Sequence, residues 1–149
     1  MIKILFVCHG NICRSPMAEY VLRHLVRQAG REGEFEIASA ATSTEELGND
    51  VYPPARQELL SHGVACPRRS ARQLTRGDFD KYDMIIGMDG ENLRNMRRIC
   101  GDGDRTKISL LLDFTDRPGD VADPWYTGNF AETWRDVCEG CKCLLERLA

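Results

Sequence analysis

Ile2-Lys3-Ile4-Leu5-Phe6-Val7, almost continuously apolar, runs straight into Cys8-His9-Gly10-Asn11-Ile12-Cys13-Arg14-Ser15-Pro16. From Pro16 to about Ala29, apolar residues recur at helical spacing: Ala18, Val21, Leu22, Leu25 and Ala29. The first run reads as a strand buried on both faces of a parallel sheet, and Gly30 ends the helix. The loop between them therefore sits where a strand turns into a helix. Backbone N–H groups at a helix start have no internal partners and carry the positive end of the dipole, so a tight loop there cradles an anion. Gly10 and Asn11 both tolerate positive φ. Arg14 adds a planar fork of donors that matches a phosphate. Cys8 opens the loop, where the same field favours a thiolate. A free thiol titrates at about 8.5, and such settings bring it to roughly 3.5–7.5. Ser15 has two uses open to it, capping the helix or bonding the thiolate. Pro16 suits the first helical turn. A lone cysteine is most often structural. The strand before Cys8, the glycine within the loop and the Ser-Pro after it favour a nucleophile beneath a bound oxyanion.

Outward from this unit, strand and helix alternate. Glu36 to Ala40 reads as a second, weaker strand, and the polar stretch from Thr42 to Asp50 as a loop. Pro53 and Pro54 open a short helix that stops near Gly63. Met84-Ile85-Ile86-Gly87 is a third buried strand, followed by a helix through about Ile99. Lys107 to Leu112 supplies a fourth strand, and the last helix runs from about Phe130 to Leu148, with Val137, Leu144, Leu145 and Leu148 on its apolar side. The expected fold is α/β: an open, mostly parallel four-stranded sheet with helices on both faces. Ligands in such sheets bind at the carboxyl ends of the strands, where the Cys8 loop lies. Residues 1–149 are expected to form one domain, without repeats or linkers.

Composition narrows the function. The chain has 149 residues, 42% hydrophobic, enough for a core. Twenty basic and 23 acidic residues give a net charge of −3, which argues against a general nucleic-acid binder. Two basic clusters, Arg68-Arg69 with Arg72 and Arg94 with Arg97 and Arg98, read as solvated faces or as attraction for anionic substrates. No stretch approaches a membrane span, so membrane insertion is not expected. The N-terminal apolar run does not read as a signal peptide, and a cytoplasmic location follows. Seven cysteines in no scaffold-like spacing suit free thiols in a reducing compartment.

A thiolate that attacks a phosphoester needs an acid to protonate the leaving oxygen. Asp123-Pro124-Trp125-Tyr126 is the best source: proline restricts Asp123, and the aromatics suit the flanks of a phenyl ring. The alternative is a surface turn with aromatic packing. Together with the Cys8–Arg14 loop, this segment resembles the low-molecular-weight protein tyrosine phosphatases, over nearly the whole chain. The resemblance implies that Cys8 is the nucleophile and that Cys8, His9, Gly10, Asn11, Ile12, Cys13, Arg14 and Ser15 bind phosphate. It implies that Asp123 is general acid and later base, and that Trp125 and Tyr126 line the cleft. Asn11, Ser15, Ser39 and Asp89 would support the loop, although a helix N-cap alone explains Asp89. The reaction would need no cofactor or metal, its substrates would be phosphotyrosine proteins, and the protein would be a monomer. One departure stands out. Glu45 falls roughly where relatives carry a Trp, which puts a preference for aromatic phosphoesters in question and disfavours acidic peptides.

Cys13 lies on the same loop as Cys8, as a resolving thiol of a redox-sensitive site would; small-residue packing explains it equally well. Cys138, Cys141 and Cys143 share one helix without a completing ligand set. Gly101-Asp102-Gly103-Asp104 lacks the spacing of a calcium loop. His24 and His62 read as ordinary packing or surface residues, and His9 as a rim residue with no defined role. Among rival functions, arsenate reductases need a shuttling cysteine pair, and only Cys100 is nearby. Protein arginine phosphatases carry Thr where Ile12 stands. A cysteine-phosphorylated carrier subunit needs neither Arg14 nor Asp123, and an inactive phosphotyrosine-binding module would be expected to lose Cys8 or Asp123.

Overall fold

The computed structural model describes residues 1–101, 103 and 105–148; Asp102 and Asp104, from the stretch weighed as a calcium loop, lie outside them. Strand β1 (Ile2–Cys8) is central, with Ile4, Leu5, Phe6 and Val7 fully buried. It is flanked by β2 (Phe35–Ala41) and β3 (Met84–Gly87), and β4 (Ile108–Leu110) lies beyond β3. The order is β2-β1-β3-β4 and every pairing is parallel, so the expected mostly parallel sheet is wholly parallel.

Alternation along β1 distributes its side chains between two cores. Ile4, Phe6 and Cys8 face α1 (Arg14–Gln28), α2 (Pro53–Ser61) and α6 (Phe130–Arg147). Leu5 and Val7 face α3 (Arg76–Lys81) and α4 (Gly90–Cys100). That two-sided cover is why β1 reads as an unbroken apolar run. Gly30 ends α1 as expected: at φ +68 it donates to the Arg27 carbonyl while Arg31 donates to that of Val26, the double bond of a Schellman stop.

Two boundaries differ from expectation. The fourth strand is shorter than Lys107 to Leu112. The Asp113 carboxylate accepts the Leu110 N–H, and Leu111–Phe114 winds into a 3₁₀ turn whose Leu111 and Leu112 pack into the first core. After the Cys8 loop, α1 begins at Arg14 rather than Pro16, so Arg14 and Ser15 already belong to its first turn.

The sheet changes direction at β1: the chain first adds β2 on one side, then β3 on the other. The crevice of such a sheet lies outside the carboxyl ends of the strands at this switch, where the residues after β1 and after β3 sit. None of the described helices is long and apolar enough to cross a membrane.

Candidate active site

The loop after Cys8 curls because one residue, Asn11, takes a left-handed conformation at φ 58. Gly10, which also tolerates that conformation, does not take it. A Cβ there would sit 3.3 Å from the Glu46 Cγ, so that side chain would have to give by a few tenths of an ångström. Asn11 tolerates its backbone because its side chain is anchored on both sides. Its Nδ2 donates to Ser15 Oγ at 2.8 Å and to Ser39 Oγ at 2.9 Å, and its Oδ1 accepts the Arg72 N–H at 3.3 Å. Ser39 in turn donates to Glu19 at 2.6 Å. Since Ser15 Oγ receives the Asn11 amide, its hydrogen is free for Cys8 Sγ, 3.0 Å away; the Ser15 N–H also points at that sulfur, at 3.4 Å. Two donors aimed at one sulfur suit an anion there. Of the two uses open to Ser15, the structure takes the bond to sulfur: Cys13 occupies the cap position, without a side-chain cap bond.

Arg14 is buried, and its fork is fixed from behind. Nη1 donates to Asp89 Oδ2 at 2.6 Å and to the Val121 carbonyl at 2.9 Å, and Nη2 to Asp123 Oδ2 at 3.3 Å. Burial works against this charge, but Cys8, Asp89 and Asp123 outweigh it and hold the guanidinium above its ordinary pKa. Among the described residues Nε has no acceptor, so that donor is left for a ligand. Asp89 serves both of its readings at once: Oδ1 accepts the Asn92 N–H and caps α4, while Oδ2 holds Arg14.

Asp123 caps α5 (Pro124–Thr127), a single helical turn where a surface turn or loop was expected. The segment is tied to the sheet end through the Val121 N–H, which donates to the Met88 carbonyl. Asp123, Trp125 and Tyr126 line one side of a cavity of about 300 Å³. Cys8, Ile12, Cys13 and Arg14 form its floor; His9, Gly10, Glu45 and Glu46 form the other side. Trp125 packs on Tyr52, with ring centroids 4.9 Å apart, and the Tyr52 N–H donates to the Ile12 carbonyl. The aromatic wall is thereby registered on the loop.

Asn11, Ser15, Ser39 and Asp89 are not among the residues that line the cavity; their bonds are to the loop and to Arg14. Four contributors escaped the sequence reading: Glu19 and Arg72, which terminate the Asn11 network; Val121, which lends a carbonyl; and Glu46, on the wall. A glutamate within the buried part of α1 is the one signal that pointed to Glu19. Neither basic cluster lines the cavity. Arg72 pairs with Asp78, and Arg94, Arg97 and Arg98 are exposed along α4. Cys13 is buried, and burial, with the neighbouring Cys8 and Asp123 charges, pushes its thiol far above the ordinary range. As a resolving thiol for Cys8 it would have to shed its proton to attack, and burial opposes that step. Cys100 lies in the core on the opposite sheet face from Cys8. Among the described residues no cluster suited to a metal occurs.

A thiol, an arginine fork and a carboxylate that converge at the switch point of a parallel sheet define a cysteine-phosphatase class of α/β protein. A family model described as low molecular weight phosphotyrosine protein phosphatase matches residues 3–149, and the chain belongs to that family. It is 40% identical over 147 residues to the low molecular weight protein-tyrosine-phosphatase YfkJ of Bacillus subtilis, covering 97% of this chain and 94% of that protein. The YfkJ crystal structure matches with a TM-score of 0.96 at 39% identity, over 99% of this chain and 94% of that one. The low molecular weight protein tyrosine phosphatase SP-PTP of Streptococcus pyogenes matches at 0.91 and 39% identity, over 100% and 94%. A Drosophila arginine phosphatase, DARP, matches at 0.89 and 29% identity, over 99% and 98%. The chain is thus a phosphoric monoester hydrolase of the low-molecular-weight tyrosine phosphatase kind.

Proposed function

We propose that Cys8 Sγ attacks the phosphorus of a protein phosphotyrosine, with the loop N–H groups and Arg14 Nε holding the equatorial oxygens. The S–P bond forms as the P–O(aryl) bond breaks, and Asp123 gives its proton to the departing phenolate. Water then attacks the phosphocysteine while the Asp123 carboxylate takes a proton from it. Phosphate leaves and the Cys8 thiolate is restored. Splitting the reaction in two is covalent catalysis, and the fixed donors stabilise charge as it develops. His9, Gly10, Asn11, Ile12, Cys13 and Ser15 complete the phosphate cradle. Cys13 acts as the resolving thiol if Cys8 is oxidised, at a rate held down by its own burial.

The observation that carries this reading is the Arg14 guanidinium, clamped between Asp89, Val121 and Asp123 at the floor of the cavity. A carrier subunit has no use for such a clamp. Cys8→Ser is expected to abolish turnover of phosphotyrosine peptide while vanadate still binds, because the cradle is backbone plus Arg14; Arg14→Ala is expected to lose both. Phosphotyrosine, phosphoarginine and arsenate, assayed side by side with EDTA present, test the substrate class. Faster turnover of phosphoarginine, or reduction of arsenate, overturns the tyrosine assignment.

A further inference from the structure

We propose that Glu45 makes the enzyme select phosphotyrosine peptides that carry Lys or Arg beside the phosphorylated residue. The proposal rests on the phosphotyrosine reading and adds to it a substrate class. The two walls of the cavity differ in kind. Trp125 and Tyr126 offer aromatic surface on one side; on the other, His9, Glu45 and Glu46 offer a titratable rim. An aryl phosphate that reaches Cys8 leaves its peptide chain crossing this rim. Glu45 is the rim residue most open to that chain, its side chain being 67% exposed.

Its placement is fixed from two directions. The Ser43 N–H donates to the His9 carbonyl at 3.0 Å, so the backbones of the two loops are paired. The His9 Nε2 then contacts Glu45 Oε2. Oε1 has no partner among the described residues and is available to a ligand. Glu46 is less available, because its Oε2 accepts the Asn49 amide at 2.6 Å and its stem lies against Gly10. Among the described residues, the only arginine or lysine that lines the cavity is Arg14, which is buried and already paired. A neighbouring carboxylate on the substrate therefore meets two carboxylates on this rim with no lysine or free arginine lining the cavity to offset them, while a neighbouring ammonium or guanidinium finds the Glu45 oxygen that His9 leaves unpaired. Because the rim is exposed, the preference is modest and salt-sensitive.

The test compares two synthetic phosphotyrosine peptides identical except for Lys or Glu next to the phosphotyrosine. At low salt the wild type is expected to favour the Lys peptide about five- to tenfold in kcat/KM, the size of an exposed charge pair gained on one side and a repulsion avoided on the other. The ratio should shrink toward about twofold in roughly 0.5 M salt as the charges are screened. Glu45→Gln should lower the ratio, and Glu45→Lys should invert it; Glu45→Gln carries the test should Glu45→Lys not fold. Equal wild-type rates at low salt, or a Glu45→Gln variant that slows both peptides alike, overturn the selection and leave the phosphatase reading standing. Hydrolysis of p-nitrophenyl phosphate with neither peptide turned over removes the phosphotyrosine reading and this proposal together.

Discussion

Within the loop, Asn11, Arg14 and Ser15 are almost wholly buried, and each polar atom that shapes the curve has a partner. Across the cavity, Trp125 is 52% and Tyr126 84% exposed, and Asp123 is fixed by its cap bond to Trp125 and a 3.3 Å contact with Arg14. Under the proposed mechanism the phosphate end is thus over-determined and the leaving-group end lightly held. This division suits the chemistry. Every phosphomonoester presents the same oxygens to the loop, whereas proteins differ in what surrounds the tyrosine. Arg14 links the two regions, because one guanidinium touches the α4 cap, the Val121 carbonyl and Asp123.

If the two regions are held this differently, Asp123 can be removed with a large cost in rate and a small one in stability. Asp123→Ala is expected to lower kcat on phosphotyrosine by about 10²–10⁴, the usual worth of a general acid. The loss should shrink as the leaving group's own pKa falls, while Tm moves by no more than about 4 °C, in line with a lost cap of roughly 1 kcal/mol. A loss independent of the leaving group would deny Asp123 the proton. A large fall in Tm would show the segment to be part of the rigid frame, and the comparison would fail.

The converse experiment strikes the frame. Asn11→Ala strands Ser15, Ser39 and the Arg72 N–H, and leaves an alanine at φ 58. Unmet buried groups cost about 1–3 kcal/mol each when partly relaxed, so a loss of about 2–4 kcal/mol is expected, read as a Tm lower by roughly 5–15 °C. Asn11→Gly relieves the backbone but not the lost bonds. The gap between the two variants in denaturant titration reads that strain less the greater freedom of glycine in the unfolded chain.

The same contrast explains what the sequence could say. β1, the loop and α1 were legible because apolar period, loop chemistry and helix start are local signals. Asp123 stood out through Asp123-Pro124 and the two aromatics, read by resemblance. What stayed hidden is non-local. Nothing periodic announces that Glu19 ends a hydrogen-bond chain from Asn11, or that Arg72, distant in sequence, lends its N–H to the loop. The same holds for β4, where the Asp113 side chain accepts the Leu110 N–H as the chain winds into a turn, and for Cys13, buried at the start of α1. Of the two residues that tolerate positive φ only Asn11 takes it, and the close approach of Glu46 to Gly10 is another contact that the sequence does not announce.

A milder probe addresses the lightly held wall. Trp125→Ala removes the ring on Tyr52 and half of the aromatic wall. The expected result is a KM for phosphotyrosine peptide about three- to tenfold higher with kcat within about twofold, because the ring binds ground state and transition state alike. An aromatic pair is worth about 0.5–1.5 kcal/mol, so Tm should shift only slightly. A fall in kcat equal to that of kcat/KM would mean that Trp125 positions Asp123 as well.

The smallest effect tests how the frame continues beneath the rim. Asp50 follows the loop that carries Glu45 and Glu46, and it accepts from Arg56 at 2.9 Å and from the N–H groups of Val51 and Arg69. Arg56 also donates to the Cys66 and Pro67 carbonyls, so this group ties the loop to α2 and to the segment that reaches Arg72. The Arg56 bond leads the forces that push the Asp50 carboxyl down to about 2. Its folded pKa lies below that of a free aspartate, about 3.9. The stabilisation is therefore complete above that value and is lost as pH falls toward about 2. Asp50→Asn should lower Tm by about 2–4 °C at neutral pH, as expected for a partly exposed pair. The wild-type advantage should narrow only below about pH 4, vanishing near about pH 2. If the gap is the same at about pH 3 as at neutral pH, charge on Asp50 is not what holds the loop. The hydrogen bonds to Oδ1 that an asparagine fails to reproduce at any pH would then account for the gap.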